Sequence, residues 1–174
     1  DLMNQIPSLI EGVDSDPAAA WLANVILGAE LLPILTRIPE HRRPKLPSLV
    51  SVGDGLAPAS RPSRAIVMNP PYGRVRLGEA DRSRFQRTLY GHANLYALFM
   101  SAAVEGLEVD GGVLSALVPT SFTAGRYFEP LRRLLSSEVR LQEINFVEDR
   151  SGVFASVLQE TCVATFTRRS IRKT

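Results

Sequence analysis

One cysteine, Cys162, stands among 174 residues. A single thiol cannot build a disulfide framework or a cysteine-based zinc site, and it reads as a small core residue. This cysteine usage fits a reducing compartment, so a cytoplasmic location is the expectation. Histidine is nearly as scarce: only His41 and His92 are present. His41 sits in a basic stretch and His92 just before an apolar periodic segment, and neither has a sequence neighbour that would complete a catalytic dyad. Charge of one sign is not in excess either. The net charge is +2, so a pI near 9.0 reflects local arginine patches, and the balance alone does not argue for a polyanionic partner. No secretory signal is visible, and the apolar runs fall short of the ~20 residues that span a bilayer. Internal repeats and low-complexity tracts are absent.

What is present is a hydrophobic content of 45%, enough for one core in a chain of single-domain size. Strand-like and helix-like segments alternate, which predicts an α/β fold. Strands are expected over Ser8–Asp14, Ser48–Asp54, Arg64–Asn69, Val113–Val118, Arg140–Val147 and Leu158–Thr167. On the last, Cys162, Ala164 and Phe166 would share one face. Asp16 and Pro17 form a helix start, with Asp as N-cap and Pro in the first turn, and that helix is expected to reach about Leu32. A basic, proline-punctuated loop is expected from Pro33 to Pro47. A second helix is expected from Asn94 to Leu107, with Leu95, Leu98, Phe99, Ala102 and Ala103 on one face, and a third from Glu129 to Ser136. The polar stretch Gly73–Gly91 reads as a long loop, functional or mobile. It carries Arg74, Arg76, Arg82, Arg84 and Arg87, which suit either phosphate contact or simple solvation.

Three places carry chemistry. Asn69-Pro70-Pro71-Tyr72 follows the apolar run Ala65–Met68. Two prolines cannot donate to a ladder, so they end the strand and leave Asn69 and Tyr72 on a stiff loop at its carboxyl end, the edge where open α/β sheets bind ligands. The Asn69 side-chain oxygen and the Pro70 carbonyl are two acceptors of restricted geometry, suited to the two hydrogens of a planar amino group. Tyr72 can stack on a flat base for about 1–3 kcal/mol. Asp14, at the end of the first strand, can accept from ribose hydroxyls, while Asp16 is placed to cap the helix; both could equally be caps. Gly53-Asp54-Gly55 ends a second strand and reads as either a ligand contact or a turn.

Asn69-Pro70-Pro71-Tyr72 resembles the catalytic motif of amino-group methyltransferases that use S-adenosylmethionine. The DNA adenine-N6 methyltransferases of restriction-modification systems are the nearest match. Gly12–Pro17 resembles the ribose-binding strand end of that family, Gly53-Asp54 its adenine-contacting acid, and Asn94–Phe99 its next cofactor-side helix. Gly111–Leu114 through Val118–Phe122 resembles the following strand and loop. Val153-Phe154 with Glu160–Val163 resembles the closing hairpin. The resemblance implies a Rossmann-like methyltransferase sheet, mostly parallel with a C-terminal antiparallel hairpin. It also implies S-adenosylmethionine as cofactor, bound by Asp14, Asp54 and Phe99. DNA is the implied substrate, with Asn69, Pro70, Pro71 and Tyr72 holding a flipped adenine and Arg74 and Arg76 on its backbone. No metal is required.

One family element has no counterpart. Nothing like its glycine-rich cofactor loop precedes Asp14, so the chain, residues 1–174, reads as a partial catalytic domain. It would lack the first, central strand and a target-recognition domain, both expected in the full-length protein, and would bind cofactor weakly or not at all by itself. Two other readings stay open: methylation of RNA adenine or protein glutamine, and a non-catalytic remnant that binds nucleic acid or a protein partner.

Overall fold

The computed structural model describes residues 2–147 and 160–170. They form two compact units, Asp1–Ala57 and Pro58–Thr174.

The first unit contains α1 (Leu2–Leu9), β1 (Gly12–Asp14), α2 (Pro17–Leu35), a 3-10 turn at Glu40–Arg42, and β2 (Val50–Val52). β1 and β2 pair in parallel, with Gly12 opposite Val50 and Asp14 opposite Val52. A Cβ on Gly12 would meet the Val50 side chain at 3.0 Å, so the close pairing favours glycine there. The expected strand from Ser8 is corrected: Ser8 and Leu9 belong to α1, and pairing begins only at Gly12. The helical turn is held by Ile10 N–H donating to the Ile6 carbonyl, and Ile6 is buried with Leu35 and Leu49. The second strand is likewise shorter than expected, three residues instead of seven.

Asp16 caps α2 as expected, its Oδ1 accepting from Ala18 N–H at 2.8 Å. The helix runs past Leu32, because Pro33 stands in its last turn and Thr36 N–H still donates to the Leu32 carbonyl. The resulting 19-residue helix is long and apolar enough, by length and composition, to cross a membrane. This revises the expectation that no segment approaches that length: Asn24 and Glu30 interrupt the apolar composition but not the helix. Asn24 joins the helix to the sheet. Its Nδ2 donates to the Val50 carbonyl at 2.7 Å, and its Oδ1 accepts from Leu49 N–H and Val50 N–H at 2.7 and 3.0 Å.

The second unit is built on a four-stranded sheet in the order β3-β6-β8-β7, where β3 is Ala65–Met68, β6 is Val113–Pro119, β7 is Val139–Phe146 and β8 is Thr161–Arg168. β3 and β6 are parallel; β8 lies antiparallel between β6 and β7. The four-stranded sheet is therefore mixed, parallel at β3 and β6 with the expected antiparallel hairpin at β7 and β8. Among the described residues β1 pairs with β2 alone and β3 with β6 alone. α4 (Leu95–Gly106) and α5 (Glu129–Glu138) belong to the same unit. Leu114, Ala116 and Val118 of β6 join Cys162, Ala164 and Phe166 of β8 in the core, the face expected for the last strand. Burying such an aliphatic side chain contributes about 1.5–3 kcal/mol. α4 is buried more widely than its expected face: Tyr96, Met100 and Val104 are in the core, while Leu95, Phe99 and Ala102 are only partly buried. Val153 and Phe154 lie outside the described residues.

Gly73–Gly91 is not a structureless loop. It holds β4 (Arg74–Val75), paired antiparallel with β5 (Ala93–Asn94), then α3 (Glu79–Arg84) and a 3-10 turn at Gln86–Thr88. Phe85 anchors it at 1% exposure. Arg84 pairs with Glu105 and Arg87 with Glu138, and Arg82 donates to the Gly91 carbonyl.

Asn24→Ala removes four side-chain hydrogen bonds, three of them to the Leu49 and Val50 backbone, whose polar groups lose those partners. The expected loss is about 2–4 kcal/mol, read as a lower urea midpoint by circular dichroism.

Candidate active site

β3 ends at Met68, opposite Ala116 of β6. The chain then passes through Asn69, exposed, and Pro70, buried, which anchors the loop while leaving the amide outside. Among the described residues the Asn69 side chain makes no hydrogen bond. Tyr72 is half-buried and folds back over the sheet. Its hydroxyl donates to the Leu117 carbonyl of β6 at 3.2 Å, and its ring meets Tyr96 edge-on with centroids 6.3 Å apart. Burial raises the Tyr72 pKa above the ordinary tyrosine value, so the phenol stays neutral and remains a donor through the physiological range. Gly73 then adopts φ +118, a region that side-chain-bearing residues rarely enter, and its carbonyl accepts from Leu95 N–H at 2.9 Å. The loop is thus held at three points: Pro70 in the interior, the Tyr72 hydroxyl on β6, and the Gly73 carbonyl on α4.

Within the first unit, Asp14 and Asp54 stand at or just beyond the carboxyl ends of paired parallel strands. Asp14 Oδ1 accepts from Asp16 N–H at 2.8 Å, and Asp54 Oδ1 accepts from Leu56 N–H at 2.9 Å. Each carboxylate spends one oxygen on a local turn that orients it. Gly53 N–H donates to the Asp14 carbonyl at 2.9 Å, which joins the two strand ends. In the second unit, Phe99 is partly buried on α4. Arg74 and Arg76 are exposed and have no ion pair among the described residues.

Residues that the sequence reading passed over surround the Tyr72 loop. Tyr96 is 1% exposed, and its hydroxyl shares a hydrogen bond with Ser121 Oγ at 3.1 Å. Burial pushes its pKa far above the usual tyrosine range. Tyr96 stacks obliquely on Phe128 at 5.1 Å, and Phe128 meets Tyr127 edge-on at 4.8 Å. Tyr96 lay within the quoted Asn94–Phe99 segment, but nothing local to that segment marks Ser121 or Phe128 as its partners. Among the described residues no group of three or more His, Cys, Asp or Glu could hold a metal ion.

The Eco57I restriction-modification methylase family matches residues 64–154, more than half of the chain and all of the Asn69–Tyr72 loop. The chain belongs to this family. It is 32% identical over 104 residues to the type II methyltransferase M.PstI of Providencia stuartii, covering 59% of this chain and 20% of that protein. It spans about a fifth of the length of the curated relatives it matches. A Listeria monocytogenes protein described as a class I S-adenosylmethionine-dependent methyltransferase superposes with a TM-score of 0.70 at 18% identity, over 99% of this chain and 50% of that one. A structure of the DrdV–DNA complex gives a TM-score of 0.66 at 16% identity, over 93% and 20%. The fold is the Rossmann-like α/β fold of S-adenosylmethionine-dependent methyltransferases, as expected.

Gly73→Ala forces a Cβ into the positive-φ backbone between Tyr72 and Arg74. The loop is expected to lose about 1–3 kcal/mol, seen as a lower melting temperature together with greater solvent exposure of Tyr72 by fluorescence quenching.

Proposed function

We propose that this chain is part of the catalytic domain of an enzyme that methylates the exocyclic amino group of adenine in DNA, with S-adenosylmethionine as donor. The observation that carries the reading is the Asn69–Tyr72 loop. It has an exposed amide without a hydrogen-bond partner among the described residues, beside a proline buried as an anchor and a neutral aromatic ring tethered to β6. Family membership supports it, as does M.PstI being a type II methyltransferase.

The residues fit the donor. Asp14 and Asp54 each keep a second carboxylate oxygen beyond the one used by the turn. Asp14 would accept from the ribose hydroxyls and Asp54 from the adenine amino group, with Phe99 packing on that adenine. S-adenosylmethionine, when bound, supplies an electrophilic methyl group. The chain's own part is positioning and electrostatics. Asn69 Oδ1 and the Pro70 carbonyl accept the two N6 hydrogens of the target adenine, drawing the nitrogen towards tetrahedral geometry and directing its lone pair. Tyr72 stacks on the base, which must leave the duplex at a cost of a few kcal/mol. Arg74 and Arg76 hold the phosphodiester backbone.

Asn69→Ala is expected to lower methyl transfer about 100-fold or more while leaving DNA affinity close to unchanged, because the residue is exposed. The check is labelled-methyl incorporation into DNA, RNA and protein by the full reading frame that contains this chain. Near-normal incorporation by the variant removes Asn69 from the mechanism, and preference for RNA or protein moves the target away from DNA.

A further inference from the structure

Tyr72 is tethered by its far end, where its hydroxyl donates to the Leu117 carbonyl of β6 at 3.2 Å. With the backbone and the hydroxyl both held, the side chain keeps one freedom. Its ring can still turn about its long axis, a torsion with broad wells. A hydroxyl that lies on that axis does little to oppose the turn. A ring that stacks on a flat base must have its plane fixed as well, so a second contact is needed, away from the axis.

Tyr96 supplies it. Its ring meets the Tyr72 ring edge-on, with centroids 6.3 Å apart and planes at 84°, and Tyr72 packs against the core cluster to which Tyr96 belongs. Edge-to-face pairs attract at this separation, and the attraction depends on the angle between the rings. Tyr96 is itself held from two further sides. Phe128 lies obliquely against it at 5.1 Å, and its hydroxyl shares a hydrogen bond with Ser121 Oγ at 3.1 Å. Ser121 stands in the 3-10 turn Thr120–Thr123, which follows β6 directly and so sits just past Leu117. The backbone repeats the link one residue earlier, where Leu95 N–H donates to the Gly73 carbonyl at 2.9 Å. The contacts close a circuit: from Tyr72 to β6, from the turn after β6 to Tyr96, and from Tyr96 back to Tyr72.

We infer that Tyr96 is a positioning residue for methyl transfer: its edge fixes the plane of the Tyr72 ring, and Ser121 fixes Tyr96. The inference rests on the reading above, in which Tyr72 stacks on the flipped base, and it adds two residues outside the Asn69–Tyr72 loop. Tyr96 acts through Tyr72 and not on the substrate, because it is only 1% exposed. A ring that merely filled the core would need neither the edge contact nor the hydroxyl, and removing the hydroxyl would then cost the site nothing.

The experiment uses the full reading frame that contains this chain and a duplex carrying 2-aminopurine in place of the target adenine. The fluorescence of that base rises when it leaves the helix and is quenched when an aromatic ring stacks on it. Tyr96→Leu keeps apolar bulk but removes the ring edge. It is expected to brighten the complex about threefold, as Tyr72→Ala does. It is also expected to lower kcat for methyl transfer to the adenine duplex about tenfold, with KM for S-adenosylmethionine little changed. Tyr96→Phe, which keeps the ring, and Ser121→Ala lose the same hydrogen bond and are expected to show matching, smaller changes of about twofold. Adding Tyr96→Leu to Tyr72→Ala is expected to cost little beyond Tyr72→Ala alone, the signature of two residues acting through one interaction. The inference is overturned if Tyr96→Leu, folded by circular dichroism, matches the parent in both readouts, or if its loss of kcat multiplies in full with that of Tyr72→Ala. Where Tyr96→Leu fails to fold, Tyr96→Phe and Ser121→Ala decide, and parent-like fluorescence and kcat in both overturn it. Tyr72→Ala separates this from the target-site reading. Parent-like behaviour of Tyr72→Ala sinks the reading, and the inference with it; a clear loss in Tyr72→Ala with none in the Tyr96 and Ser121 variants sinks the inference alone.

Discussion

β6 is the strand on which the larger unit depends. It is paired in parallel with β3 on one side and antiparallel with β8 on the other, and Leu114, Ala116 and Val118 are buried in the core beneath it. A strand paired on both sides must place every backbone polar group in a ladder or onto a neighbour. At its carboxyl end one such group, the Leu117 carbonyl, also receives the Tyr72 hydroxyl. The Asn69–Tyr72 loop is therefore referenced to an inner strand of the sheet. A change that shifts β6 shifts Tyr72 with it.

The same economy appears at the other proposed contacts. Asp14 and Asp54 each use one oxygen to close a local turn, which aims the second without help from a distant partner. Pro70 is buried so that Asn69 can stand outside. Gly73 takes a conformation that a side chain would oppose, and so its carbonyl reaches α4. Positioning of this kind is what a reaction needs when the protein contributes neither a nucleophile nor a metal. The arginines of Gly73–Gly91 divide along the same line. Arg84 and Arg87 are spent on Glu105 and Glu138, while Arg74 and Arg76 are exposed, as the proposed phosphate contacts require.

Much of this was legible without coordinates, where a local rule has one outcome. Two prolines after Ala65–Met68 end the strand whatever surrounds them, and Asp16 before Pro17 caps a helix by its own side chain. Alternation along Thr161–Thr167 correctly placed Cys162, Ala164 and Phe166 inside. Other readings missed because the deciding contact is distant in sequence. Ser8 and Leu9 are helical because α1 is anchored by Ile6 against Leu35 and Leu49. Gly73–Gly91 looks like a polar loop until Phe85 is seen to be buried, and Phe85 and Tyr90 in a charged stretch send no periodic signal. Pro33 looked like a helix end, yet it costs the helix a single N–H bond to the preceding turn, and Thr36 N–H still closes onto the Leu32 carbonyl.

The amino-acid sequence by itself determined the acceptor pair, the stiffness of the loop that carries it, and the family to which that loop belongs, because each depends on residues adjacent in the chain. Only the tertiary structure decided where the Tyr72 hydroxyl goes, which arginines are already paired, and that the Asn94 side-chain oxygen is buried without making a cap bond. Those outcomes depend on which side chains meet across β6, α4 and the Ser121–Phe128 segment, and side-chain meetings between distant residues leave no mark on either partner's local sequence.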